Sequence, residues 1–178
     1  PLILTNYEGQ ECIRTVSPVT ADHAENIAIC GDGVIDGSGD LWRPVKQFKM
    51  TGRQWAELMK KNSNVLDTKE GGIWFPTESA FLGNEKNIQK DEKDALKKAE
   101  QHYDFYRPVM VSLEYCDRVL LEGVTFMNSP AWNIHPFFCT NLTVKDAVIR
   151  NPYYAQNGDG IDVESCNGVE IYNCTFET

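Results

Sequence analysis

The sequence has no CxxC spacing, no excess of basic residues and no long apolar run. Each absence argues against a class of function. Without CxxC, the six cysteines do not spell a metal site. Lys and Arg number 17 against 26 Asp and Glu, for a net charge of −9. A phosphate backbone needs a basic face, so no nucleic-acid partner is expected. A small anionic substrate stays open, because a few local Lys and Arg can hold one. No segment approaches the roughly 18 apolar residues of a membrane helix, so no membrane partner is expected either. The opening Pro1-Leu2-Ile3-Leu4-Thr5 has neither an initiator Met nor a basic stretch, and no signal peptide is read there. At 178 residues, one domain is the default.

What the chain does have is a repeat. Cys116 to Asn128, Cys139 to Asn151 and Cys166 to Thr178 align over their whole length, at offsets of 23 and 27 residues. Repeats of that length are the signature of a solenoid. Within each copy, apolar residues alternate with polar ones, a period of two that places them on one side of a strand. Val119, Leu142 and Val169 share a slot. So do Leu121, Val144 and Ile171, and so do Phe126, Ile149 and Phe176. Stacked at about 4.8 Å, such slots become ladders. None of the copies shows helical spacing. Ala24 to Gly37 fits the same mould, with Ile27 and Ile29 in the first two slots. Cys116, Cys139 and Cys166 then form a buried sulfur column. A β-sandwich is the competing architecture.

The repeat is interrupted. At about 45–105 the pattern gives way to a partly helical insertion. Gln54 to Lys61 is helix-like, and Asn84 to His102 reads as a charged, solvated helix or arm. Trp74 and Phe75 either line a groove or pack into the core. The reading is therefore one β-helix domain over 1–178 carrying that insertion. Both ends look cut, because solenoids need caps, so further C-terminal rungs are expected.

Chemistry concentrates in Asn157-Gly158-Asp159-Gly160-Ile161-Asp162. Read as a strand from Gly160 to Glu164, the segment turns Ile161 and Val163 to one face, and Asp162 and Glu164 to the other. Asp159 stands at the strand's start, able to face a groove. Alone, the string fits a turn or a calcium-type loop as well as a catalytic site.

This segment resembles the Asn-Thr-Asp-Gly-[Ile/Phe]-Asp motif of the polygalacturonase family, glycoside hydrolase family 28. Asn26 to Gly39 with Trp42 is similar to that family's opening motif. Arg107-Pro108, Val119 to Thr125 and Asn128 to Pro136 resemble its central stretch, especially that of the bacterial exo-acting branch. The resemblance implies an all-β, right-handed parallel β-helix that hydrolyses α-1,4-linked galacturonic acid, with pectin or oligogalacturonide as substrate. It implies no cofactor and no metal, and a secreted or periplasmic location. It makes Asp159 catalytic. An Asp-Asp pair, a Gly-His-Gly motif and an Arg-x-Lys motif would follow beyond Thr178. Gly158 departs from the usual Thr, which removes a hydroxyl and loosens the backbone.

Glycosidic hydrolysis needs an acid for the leaving oxygen and a base for water. Carboxylates on neighbouring rungs crowd one another, and that raises the pKa of one of them. The resemblance implies inversion, with Asp159 helping to hold the attacking water. Asn157 either orients Asp159, bonds a sugar hydroxyl or only shapes the turn. His135 either reaches substrate or ends a strand. Asp162 either lines the cleft or braces a turn. A lyase, or a glycan-binding β-helix without catalysis, would share the fold.

Overall fold

The computed structural model describes residues 1–7, 9–86 and 88–178. Asn87, inside the charged stretch Asn84 to His102, lies outside the described residues. The chain divides into two compact units, 1–16 with 40–108 and 154–156, and 17–39 with 109–153 and 157–178.

The second unit is a parallel β-helix of four rungs. The first rung is Val19–Asp22, Glu25–Cys30 and Val34–Asp36. The second is Val111–Glu114, Asp117–Glu122 and Thr125–Met127. The third is Ile134–Phe137, Thr140–Lys145 and Val148–Arg150. The fourth has Asn167–Tyr172 and Thr175–Glu177. Where the fourth rung's first strand was expected, over Gly160 to Glu164, only two isolated bridges form, Ile134 with Ile161 and Phe137 with Glu164.

The register is the one the repeat demands. Leu142 pairs Val119 on one side and Val169 on the other. Val119 in turn pairs Ile27. Phe126 lies between Ile35 and Ile149, and Ile149 between Phe126 and Phe176. Phe126, Leu142, Val144 and Ile149 are fully buried. Cys116 and Cys139 are buried, and Cys166 partly so, so the sulfur column is real and its thiols are free. Burial pushes the Cys139 thiol up to about 11 and raises Cys166 as well.

Corners recur at fixed positions. His23, Tyr115, Phe138 and Ser165 all have φ near +50° where the first sheet ends. Asn26, Arg118, Asn141 and Gly168 repeat this inside the second sheet. Gly31, Gly123, Asp146 and Asn173 also have positive φ, from +52° to +121°, where the second sheet meets the third. A left-handed residue lets the backbone swing without ending the parallel pairing on either side. Gly123 is required for a second reason. A Cβ there would stand 2.4 Å from the main-chain oxygen of Gly31.

The first unit opens with an antiparallel hairpin, Leu2–Tyr7 against Gln10–Thr15. Its long segment holds the helices Gly52–Met59, Glu78–Lys86 and Ala95–Ala99. A capping box starts the first of them: Thr51 accepts from the Gln54 N–H, and Gln54 accepts from the Thr51 N–H. The segment also holds an antiparallel sheet with Gly71–Trp74 between Val45–Lys46 and Val65–Thr68. That sheet was not expected, because its strands are two to four residues long and show little alternation. Trp74 and Phe75 pack inward, at 3 % and 4 % exposure. The charged stretch is anchored rather than wholly solvated: Ala95 and Ala99 join Leu2, Ile13 and Tyr106 in a small core of their own.

Candidate active site on the fourth rung

Alternation along the first sheet sorts its side chains. Val111, Leu113, Ile134 and Ile161 belong to the core. Ser112, His135 and Asp162 therefore share the opposite face as one column, with Glu114, Phe137 and Glu164 as the next. The expected separation of Ile161 from Asp162 and Glu164 is thus present, although two bridges rather than a strand maintain it.

Asp159 is exposed and sits just ahead of this sheet. Its backbone is fixed on one side by Asn133, whose N–H donates to the Asp159 carbonyl at 2.9 Å. Asn151 fixes the neighbouring peptide. Its Nδ2 donates to the Gly158 carbonyl at 2.7 Å, and its Oδ1 accepts from the Ser129 N–H at 2.8 Å. Asn151 is 8 % exposed, so this clamp works away from solvent. Gly160 allows the tight approach that follows: a Cβ there would meet Phe176 at 2.9 Å and Ile149 at 3.2 Å. The Asp162 N–H then donates to the Ile134 carbonyl at 2.9 Å and starts the sheet pairing.

Asn157 has φ +54°, a conformation Asn tolerates better than most residues. It shapes the bend that presents Asp159. His135 is 3 % exposed, with Nε2 3.0 Å from Glu164 Oε2 and its ring edge-to-face with Trp132 at 5.0 Å. Glu164, with 29 % of its side chain exposed, faces the solvent side of that pair. Asp162 lies opposite His135 by register. Asp159, Asn157, Asp162 and His135 all fall within the β-helical unit, with Asp162 and His135 in one column. Among the described residues, no group of three His, Cys, Asp or Glu is arranged to hold a metal ion.

Three features escaped the sequence reading. Asn151 is one, though it occupies the same repeat position as Asn128, and that alignment was the available signal. Glu164, as the partner of His135, is another. The third is an exposed ring stack at the first corner. His23 stacks on Tyr115 at 4.9 Å, and Tyr115 on Phe138 at 5.3 Å. All three precede the Ala24, Cys116 and Cys139 column by one residue.

The electrostatics of this unit are lopsided. It holds 13 Asp and Glu but only three cations, Arg118, Lys145 and Arg150. Each cation is paired: Arg118 with Asp117 and Glu25, Lys145 with Glu122 at 2.8 Å, and Arg150 with Glu177 at 2.8 Å. An exposed carboxylate in this setting can orient and deprotonate a water. The unit's own cations are committed to pairs.

Residues 91–178 match the model for Glycosyl hydrolases family 28. A "Probable polygalacturonase" of Vitis vinifera is 33 % identical over 70 residues, 39 % of this chain and 14 % of that protein. An "Exo-poly-alpha-D-galacturonosidase" of Dickeya chrysanthemi is 26 % identical over 154 residues, 86 % of this chain and 23 % of that one. Among solved structures, a hyperthermoactive exopolygalacturonase from Thermotoga maritima superposes with a TM-score of 0.61 at 29 % identity, over 99 % of this chain and 36 % of that one. A family 28 exopolygalacturonase from Yersinia enterocolitica, at 21 % identity and a TM-score of 0.53, shares the fold, over 96 % of this chain and 29 % of that one. The chain thus spans about a third or less of the length of each of these relatives.

Proposed function

We propose, from the match of residues 91–178 to the model for Glycosyl hydrolases family 28, that the chain is part of a family 28 enzyme that hydrolyses α-1,4-galacturonosyl linkages of pectin. The observation that carries this reading is Asp159. It lies within the matched segment, its carboxylate is exposed, and its backbone is pinned by Asn133 while Asn151 pins the peptide beside it. A carboxylate so placed can hold and deprotonate the water that attacks the anomeric carbon, while a second carboxyl protonates the leaving oxygen. The outcome is inversion. Asn157 shapes the bend that aims Asp159. Asp162 lines the floor of the groove. His135, buried against Glu164, positions that carboxylate beside the sugar.

The 178 residues alone are inactive on this reading, because the Asp-Asp pair supplying the acid is not among them. The rungs form one β-helix domain into which the 45–105 segment is inserted. A polymeric cell-wall substrate is met outside the cytoplasm, so the protein works in the periplasm or after secretion.

The test is Asp159→Asn in the whole enzyme, assayed by reducing-sugar release from polygalacturonate. Release should fall at least about a thousandfold, the scale on which a general base contributes. The melting temperature should stay put, because the carboxylate is exposed. Turnover close to wild type would remove Asp159 from the mechanism. An unsaturated, ultraviolet-absorbing product would instead indicate a lyase.

A further inference from the structure

A polyuronide carries a carboxylate on every sugar, yet the β-helical unit has 13 acids and no cation outside an ion pair. The other unit holds 14 of the chain's 17 Lys and Arg against 13 acids. Within that unit lies a cavity of about 630 Å³, inside the range of small-molecule sites. Its wall brings together four cations, Arg14, Lys46, Lys90 and Arg107, and two acids, Glu11 and Asp104.

Both acids are engaged. Glu11 pairs with Lys90 at 3.3 Å, and Asp104 accepts from the Thr77 hydroxyl at 2.8 Å. The two guanidinium groups are held in orientation. Arg14 Nη1 donates to the Arg107 carbonyl, and Arg107 Nη1 to the Gln156 carbonyl, each at 2.7 Å. Aromatic rings such as Trp42 and Phe75 supply apolar wall, and side-chain amides such as Asn84 and Gln156 supply hydrogen-bonding partners. A sugar acid matches this combination: a carboxylate for a planar guanidinium fork, C–H faces for rings, and hydroxyls for amides.

We propose that this cavity binds a uronate saccharide through its carboxylate. The proposal rests on the pectinase reading for the identity of the sugar, while the anion chemistry stands on the cavity itself. Titration calorimetry of the chain with digalacturonate, and with the neutral sugar galactose, tests it. Digalacturonate should bind, and galactose should bind at least about tenfold more weakly, the loss expected when one charge-assisted contact is removed. Lys46→Gln, a partly exposed site, should weaken digalacturonate about tenfold without moving the melting temperature, and Trp42→Leu should weaken it about tenfold in protein that circular dichroism shows still folded. Equal binding of the two sugars, no binding of digalacturonate, or binding indifferent to both substitutions would overturn the proposal. Calorimetry needs no turnover. Retained digalacturonate binding by a whole enzyme that releases no sugar would uphold the cavity and count against hydrolysis alone.

Discussion

Replacing Gly123 with alanine tests whether the coils are held in register by close main-chain approach at the corner between the second and third sheets. Gly123 has φ +78°, where an added Cβ would lie 2.4 Å from the Gly31 oxygen. The left-handed conformation costs alanine about 1 kcal/mol relative to glycine. The contact adds more, because its far side is backbone and cannot rotate away. Gly31 is itself tied down, its N–H donating to the Glu122 carbonyl at 3.0 Å. Overpacking of this kind costs about 1–3 kcal/mol. Together they give about 3 kcal/mol, roughly a hundredfold in the opening equilibrium. Asp146→Ala is the control. Asp146 occupies the same corner one rung on, at φ +52°, and already carries a Cβ. Only the conformational part applies there, about 1 kcal/mol. Amide hydrogen exchange of Asp117–Glu122 and Thr140–Lys145 reads the effect locally. Tryptophan fluorescence reads it less directly, because three of the four tryptophans, Trp42, Trp55 and Trp74, sit in the other unit. Equal loss of protection in the two variants, or a Gly123→Ala cost below about 1 kcal/mol, would refute the reasoning.

Leu142→Ala should destabilise the rungs by about 3 kcal/mol, since Leu142 is fully buried between Val119 and Val169. Leu120→Ala, on the outer face, should cost under about 1 kcal/mol, and similar costs for the two by urea unfolding would contradict the inward assignment. Iodoacetamide near pH 8 should modify exposed Cys30 and spare Cys139, as read by peptide mass spectrometry. Cys139 is raised from 9.0 to about 11 by burial, so the native state holds that proton more tightly than the unfolded chain. Its contribution to stability is complete below about pH 9 and is lost as pH climbs through about 11. A Cys139→Ala variant with an unchanged alkaline stability profile would show that the thiol adds nothing there.

The sequence by itself determined the coil. Period-two alternation and the 23- and 27-residue offsets decide which side chains share a face, because a parallel stack repeats one local geometry, and the pairing of Val119, Leu142 and Val169 follows directly. The motif at Asn157 to Asp162 was legible for the same reason, since it spans six consecutive residues. Only the tertiary structure decided what crosses between distant segments. The burial of His135 against Glu164 and the joining of Leu2 and Ile13 with Ala95 and Ala99 have no periodic trace in the chain, and the clamp of Asn151 on Gly158 left only the alignment of Asn151 with Asn128. Such contacts arise from one-off complementarity of shape and charge, which becomes visible only once the backbone has brought the partners together.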